Sequence, residues 1–111
     1  MDDLLFLSRI QEAARAAGVA VRSVRQPAQV AAAATGASAV VIDLDAARVP
    51  VAEVLAALRA DPQTAGLPVV GFFSHVHAAR GREALAAGCQ RALPRSAFVQ
   101  ELPQLMAEVA G

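Results

Sequence analysis

The side chains able to do chemistry fall into three groups along the chain. Asp2 and Asp3 are adjacent acids, while Asp43 and Asp45 close the apolar run SAVVID (38–43) and open the loop after it. Carboxylates in such positions can hold a hard divalent cation, which prefers oxygen donors. An acidic pair ahead of a helix can equally cap it, and for Asp2 and Asp3 both readings stand. The second group is Ser74, His75 and His77, directly after the apolar run VVGFF. Two imidazoles two positions apart, with no cysteine or acid cluster beside them, make a weak metal pattern, and a surface contact is the simpler reading. The third group is Cys89 and Arg95. Cys89 is the only cysteine, so no intrachain disulfide forms, which fits a reducing cytoplasm. A lone thiol mostly behaves as a small buried hydrophobe. Arg95 carries a charge able to pair with Asp43. No glycine-rich phosphate loop and no nucleophile–base arrangement occurs.

These residues need elements to hold them. Phe6, Ile10, Ala13, Ala14 and Ala17 recur at helical spacing, with Asp2 or Asp3 as cap and Gly18 as stop. VAVRSV (19–24) alternates apolar and polar residues, the pattern of a half-buried strand. Pro27 opens a second helix that ends at Gly36. SAVVID and VVGFFS (69–74) are continuous apolar runs, suited to strands buried on both faces of a parallel sheet. VAEVLAALRA (51–60) is a helix with Val51, Val54, Leu55 and Leu58 on one face, and DPQTAGLP (61–68) is a turn-rich connection. A weaker helix spans 76–89 with Gly81 near its start, and QRAL (90–93) is a short strand. Ser96 can cap a last helix, which Pro103 restarts or kinks. Strands alternating with helices give an α/β fold with a parallel sheet and right-handed crossovers. Chemistry in such sheets gathers outside the carboxyl ends of the strands, which directs attention to Asp43, Asp45, Phe73, Ser74 and Arg95.

Composition narrows the classes. With 111 residues the chain suffices for one domain, 1–111, with one core. It is 56% hydrophobic and 18% charged, which excludes a disordered chain. Ten basic residues, all arginine, balance ten acids, and no basic stripe marks a nucleic-acid surface. No apolar run reaches membrane-spanning length, and no secretory leader is expected.

Three segments carry a family resemblance: AVVIDLD (39–45), RADPQTAGLPVVGFFS (59–74) and AGCQRALPRSAF (87–98). In this order and at these separations they resemble a bacterial response-regulator receiver domain of the CheY-like kind. The piece 58–70 is the most specific, and the likeness covers nearly the whole chain from Asp2. The fold it implies is flavodoxin-like, with helices on both faces of a parallel sheet. The resemblance makes Asp43 the phospho-acceptor candidate and Asp2, Asp3, Asp43 and Asp45 the candidate ligands of a magnesium ion, the last through its backbone carbonyl. Other positions depart from the family. The hydroxyl slot after the fourth strand holds Phe73, with Ser74 one residue late and so facing the other way. The lysine–proline slots hold Arg95 and Ser96, and arginine differs from lysine in reach and geometry. The aromatic slot of the fifth strand holds Ala92, and the early proline after the acceptor is absent.

The family also has an apolar first strand before the acidic pair, where this chain has Met1. Three arrangements answer that: residues 4–7 serve as a short strand, the second and third strands pair directly, or another chain completes the sheet, as in a homodimer. The Phe6–Ile10 periodicity favours a helix from about Leu4. The expected function is a non-enzymatic cytoplasmic signalling module, a divergent receiver acting through protein contacts in two-component signal transduction, with its partner surface at about residues 77–109. The alternative is a working receiver that takes phosphate from a histidine kinase onto Asp43 with magnesium. Neither reading involves nucleic acid or a membrane.

Overall fold

The computed structural model describes residues 4–22, 27–45 and 51–110. Three parallel strands form one sheet: β1 (Val40–Asp43), β2 (Val69–Phe73) and β3 (Arg91–Pro94), in that order across the sheet. Among the described residues five helices accompany them: α1 (Leu4–Ala17), α2 (Pro27–Ala34), α3 (Val51–Ala60), α4 (Ala78–Ala87) and α5 (Arg95–Ala110). A single 3₁₀ turn, His75–His77, links β2 to α4. Val40 lies opposite Val69 and Asp43 opposite Phe72, while Phe73 lies opposite Pro94.

β2 organises the interior. It is the central strand and all five of its residues are buried, as a parallel strand covered on both faces should be. Successive side chains point to opposite faces. Val69 and Phe73 join Ile42, Leu44, Val54, Leu55, Leu58 and Ala84 in one core. Val70 and Phe72 join Phe6, Ile10, Ala14, Phe98, Leu102 and Met106 in the other. Helices α2, α3 and α4 therefore cover one face, and α1 and α5 cover the other.

The connections follow their local chemistry. α1 ends as expected at Gly18, whose φ of 75° is the left-handed conformation glycine adopts without strain. The Val19 N–H then donates to the Ala14 carbonyl, closing the helix end. In the connection after α3, Thr64 is fully buried and its hydroxyl donates to the Leu58 carbonyl at 2.7 Å, satisfying a carbonyl at the helix end. Arg59 reaches back to the carbonyls of Ala65 and Gly88. Cys89 is buried in the first core. Its thiol lies 3.4 Å from the carbonyls of both Val69 and Arg91, and it donates to one of them. Burial pushes that thiol above its ordinary range.

Three expectations are corrected. The strand over 19–24 does not form in its described part. Residues 19–22 keep the expected alternation, with Val19 and Val21 packed on the α1–α5 core and Ala20 and Arg22 exposed, but they join no strand. Alternation specifies faces, whereas a strand also needs a neighbour to close its hydrogen-bond ladder. Direct pairing of that segment with β1 is accordingly absent among the described residues. Residues 4–7 belong to α1 and not to a strand, in keeping with the Phe6–Ile10 spacing. Ser96 does not cap the last helix, because α5 starts directly after β3 with Arg95. Pro103 does not restart the helix, because α5 runs through it from Arg95 to Ala110. It lies on the exposed side, where water can serve the carbonyl that loses its donor.

Two glycines mark close approaches. A Cβ on Gly71 would come within 2.6 Å of Leu44 Cδ1, and one on Gly81 within 2.5 Å of the Phe73 ring. Gly71 thus lets Leu44 lie across β2, which holds down the turn between Asp43 and Asp45. Gly71→Ala is expected to overpack this contact and lower stability by about 1–3 kcal/mol. Urea unfolding checks this as a lower midpoint at unchanged slope.

Candidate functional site

The carboxyl ends of the three strands bring the expected residues together. β1 ends at Asp43, β2 is followed by Ser74, and β3 is followed by Arg95. Because the strands are parallel and in register, these three positions fall at one end of the sheet. Asp43 closes an Asx turn: its Oδ1 accepts the Asp45 N–H at 3.0 Å. That turn aims the Asp45 carboxylate across the strand ends. Asp45 Oδ2 accepts the Ser74 N–H at 2.7 Å, and Asp45 Oδ1 lies 3.0 Å from His77 Nδ1. Between the two acids, the Leu44 carbonyl accepts from Arg80 Nη1 at 3.2 Å.

Arg95 faces both acids. Its Nη2 lies 3.7 Å from Asp43 Oδ2 and its Nε 3.5 Å from Asp45 Oδ2. The Asp43 side chain is only 9% exposed and that of Asp45 14%, so neither charge is fully solvated and both gain from a counter-charge. The guanidinium also lies over two aromatic rings, 5.0 Å from the centroid of Phe6 and 5.6 Å from that of Phe72. Both are cation–π distances. As the first residue of α5, Arg95 puts a positive charge at the positive end of a helix dipole. The two carboxylates and the ring faces offset that unfavourable position.

A magnesium ion requires a near-octahedral set of oxygens and releases its water reluctantly. Among the described residues Asp43 and Asp45 are the carboxylates at this point, and no group of three metal-ligating side chains occurs. Both already face the Arg95 guanidinium, so a cation between them would compete with a charge built into the chain. Asp43 and Asp45 are two of the four candidate ligands of the magnesium reading. Asp2 and Asp3 lie outside the described residues.

The other expected positions divide. Ser74 enters the site through its backbone N–H, one residue beyond the strand. Phe73 points to the opposite face, its ring against Gly81. Ala92 packs on the core of that face, and Ser96 is exposed in the first turn of α5. His77 meets Asp45, and His75 opens the 3₁₀ turn. The sequence reading missed Arg80, which falls in a stretch that looks like a solvated helix start. Its signal was the spacing: His77 and Arg80 are three apart at the start of α4, which places both on one side, and two acids precede them at the end of the neighbouring strand.

No family model and no curated protein sequence matches the chain. Solved structures do resemble it, two of them as follows. A response regulator from Hahella chejuensis superposes with a TM-score of 0.72 at 17% identity, over 99% of this chain and 87% of the other. Response regulator RPA3017, in red light signaling of R. palustris, gives a TM-score of 0.70 at 20% identity, over 95% and 86% of the two chains. At these identities the likeness is one of fold: the chain has the receiver-domain, flavodoxin-like fold found in response regulators.

Arg95→Met keeps most of the apolar stem and removes the charge. It is expected to cost about 1–2 kcal/mol, between an exposed and a buried ion pair. Combined with Asp45→Asn, the loss should be less than the sum of the single losses by roughly 0.5–1 kcal/mol. Urea unfolding of the four proteins in the cycle measures both quantities.

Proposed function

We propose that the chain is a receiver-like signalling module that works by binding other proteins in the cytoplasm, with Arg95 taking the place of a metal at its acidic site. The observation that carries this reading is the pairing of one guanidinium with both Asp43 and Asp45. In a phosphorylated receiver the aspartate attacks phosphorus, a P–O bond forms, and the donor's leaving group departs. A metal offsets the charge that gathers on the oxygens in that step. Here the two acids already share one built-in counter-charge, a guanidinium anchored over Phe6 and Phe72, and the Ser74 N–H is committed to Asp45. Exposed apolar side chains support a binding role: Val76 is 69% exposed and Leu85 50% exposed on the 3₁₀ turn and α4. This module needs no catalytic residue and no magnesium.

The competing reading is a phospho-acceptor at Asp43. Its support is position: Asp43 ends β1 at the carboxyl edge of the sheet, and the Arg95 ion pair to it is long at 3.7 Å. Incubation with magnesium and acetyl phosphate, followed by intact-mass measurement, separates the two. We expect no phosphate-sized gain under conditions that label an ordinary receiver. A gain that Asp43→Asn abolishes would establish the phospho-acceptor instead.

A further inference from the structure

Asp45 is held from two sides, and it holds His77 in turn. Its Oδ2 accepts the Ser74 N–H at 2.7 Å and lies 3.5 Å from Arg95 Nε. Its Oδ1 lies 3.0 Å from His77 Nδ1. A carboxylate can only accept, so in the neutral ring Nδ1 carries the proton and Nε2 keeps its lone pair. Nε2 has no partner among the described residues, and 44% of the side chain is exposed. An imidazole oriented by an anchored acid is the arrangement that makes its outer nitrogen a base or a nucleophile. His75, in the same 3₁₀ turn, is exposed and pairs with no acid among the described residues.

The surroundings of the ring favour an anionic reactant. His77 stands at the N-cap position of α4, and its side chain makes no capping hydrogen bond there. The positive end of that helix therefore lies beside the ring. Arg80 is one turn further on and on the same side. Its Nη1 donates to the Leu44 carbonyl, and no acid among the described residues pairs with it. Its charge is thus available to an anion, unlike that of Arg95, which faces Asp43 and Asp45. A nucleophilic nitrogen with an uncommitted guanidinium on its side suits transfer of a phosphoryl group better than transfer of a neutral acyl group.

We propose that His77 is a phosphoryl-acceptor site, modified at Nε2 by a donor with a phosphorus–nitrogen bond. The Nε2 lone pair attacks phosphorus, a new N–P bond forms, and the donor's P–N bond breaks. With phosphoramidate the departing nitrogen leaves as ammonia, with the three protons it already carries. One P–N bond replaces another, so no further co-reactant is needed. Asp45 offsets the positive charge left on the ring through the Nδ1–H. Arg80 and the start of α4 offset the charge on the phosphoryl oxygens. The site is separate from Asp43 and stands whether or not that residue takes phosphate.

The full chain is incubated with potassium phosphoramidate at neutral pH, with a chelator to remove metal ions. Intact mass and peptide mapping follow in alkali, where phosphate on nitrogen survives and an acyl phosphate does not. We expect one phosphate on His77, entering about tenfold or more faster than on His75. The same chain in concentrated urea should label both histidines at equal rates, because the pair with Asp45 is gone. Asp45→Asn should bring the His77 rate down by about tenfold, toward that of His75. Should that variant lose its far-ultraviolet dichroism, the urea comparison on the unaltered chain decides. Equal labelling of the two histidines in the folded chain overturns the proposal, as does the absence of any alkali-stable phosphate. Faster labelling of His77 that Asp45→Asn leaves unchanged in a folded variant overturns it too. A gain found on Asp43 alone, and lost in alkali, overturns it and supports the phospho-acceptor reading of Asp43 instead.

Discussion

The guanidinium of Arg95 is the contact on which the upper end of this molecule depends. It is the point where β3 turns directly into α5, and it meets the ends of β1 through two acids, β2 through Phe72, and α1 through Phe6. Few side chains other than arginine could do this. The group must carry a charge for the carboxylates and a flat, weakly hydrated face for the rings. The rings are themselves in mutual contact, with Phe6 4.7 Å from Phe72 and Phe72 4.9 Å from Phe98 between centroids. An ion pair at the strand ends is thus tied to a hydrophobic core through one residue.

The two faces of the sheet are served differently. On the α2–α3–α4 face, glycines admit neighbours: Gly71 receives Leu44 and Gly81 receives the Phe73 ring. On the α1–α5 face, three aromatic rings fill the space. Much of the chain is alanine, so large side chains are placed where they matter most. Phe72 and Phe98 are fully buried, as are Leu55, Leu58 and Val54. Interiors are close-packed, and here a small number of bulky groups meets backbone that has been stripped of side chains to receive them.

Much of this was legible in the residue order. α3 follows from its periodicity and β2 from its continuous apolar run, which is buried throughout; the like run of β1 forms a strand too, but at the end of the described sheet, with Val41 exposed and only Ile42 fully buried. The meeting of Asp43 with Arg95 was legible too, since both stand at strand ends in a parallel sheet. The segment 19–22 was misread because alternation tells which side chains face the core and nothing about what lies beside the backbone. Arg80 was missed for a related reason. It bonds a backbone carbonyl, and a carbonyl has no letter in the sequence. The magnesium reading came from positions matched to a family, and two of them, Asp2 and Asp3, lie outside the described residues. In the described structure the space that reading reserves for an ion faces an arginine.

The aromatic cluster has a consequence for how the molecule can be seen. The chain has four phenylalanines, no tyrosine and no tryptophan. Three of the four, Phe6, Phe72 and Phe98, touch one another, and two of those lie under the Arg95 guanidinium. Near-ultraviolet dichroism, which reports aromatic side chains held in fixed packing, therefore arises here mainly from one place, with Phe73 in the other core as the remaining source. In most proteins that signal averages over the whole interior. In this one it is a local optical reading of the contact between the α1–α5 core and the acidic strand ends.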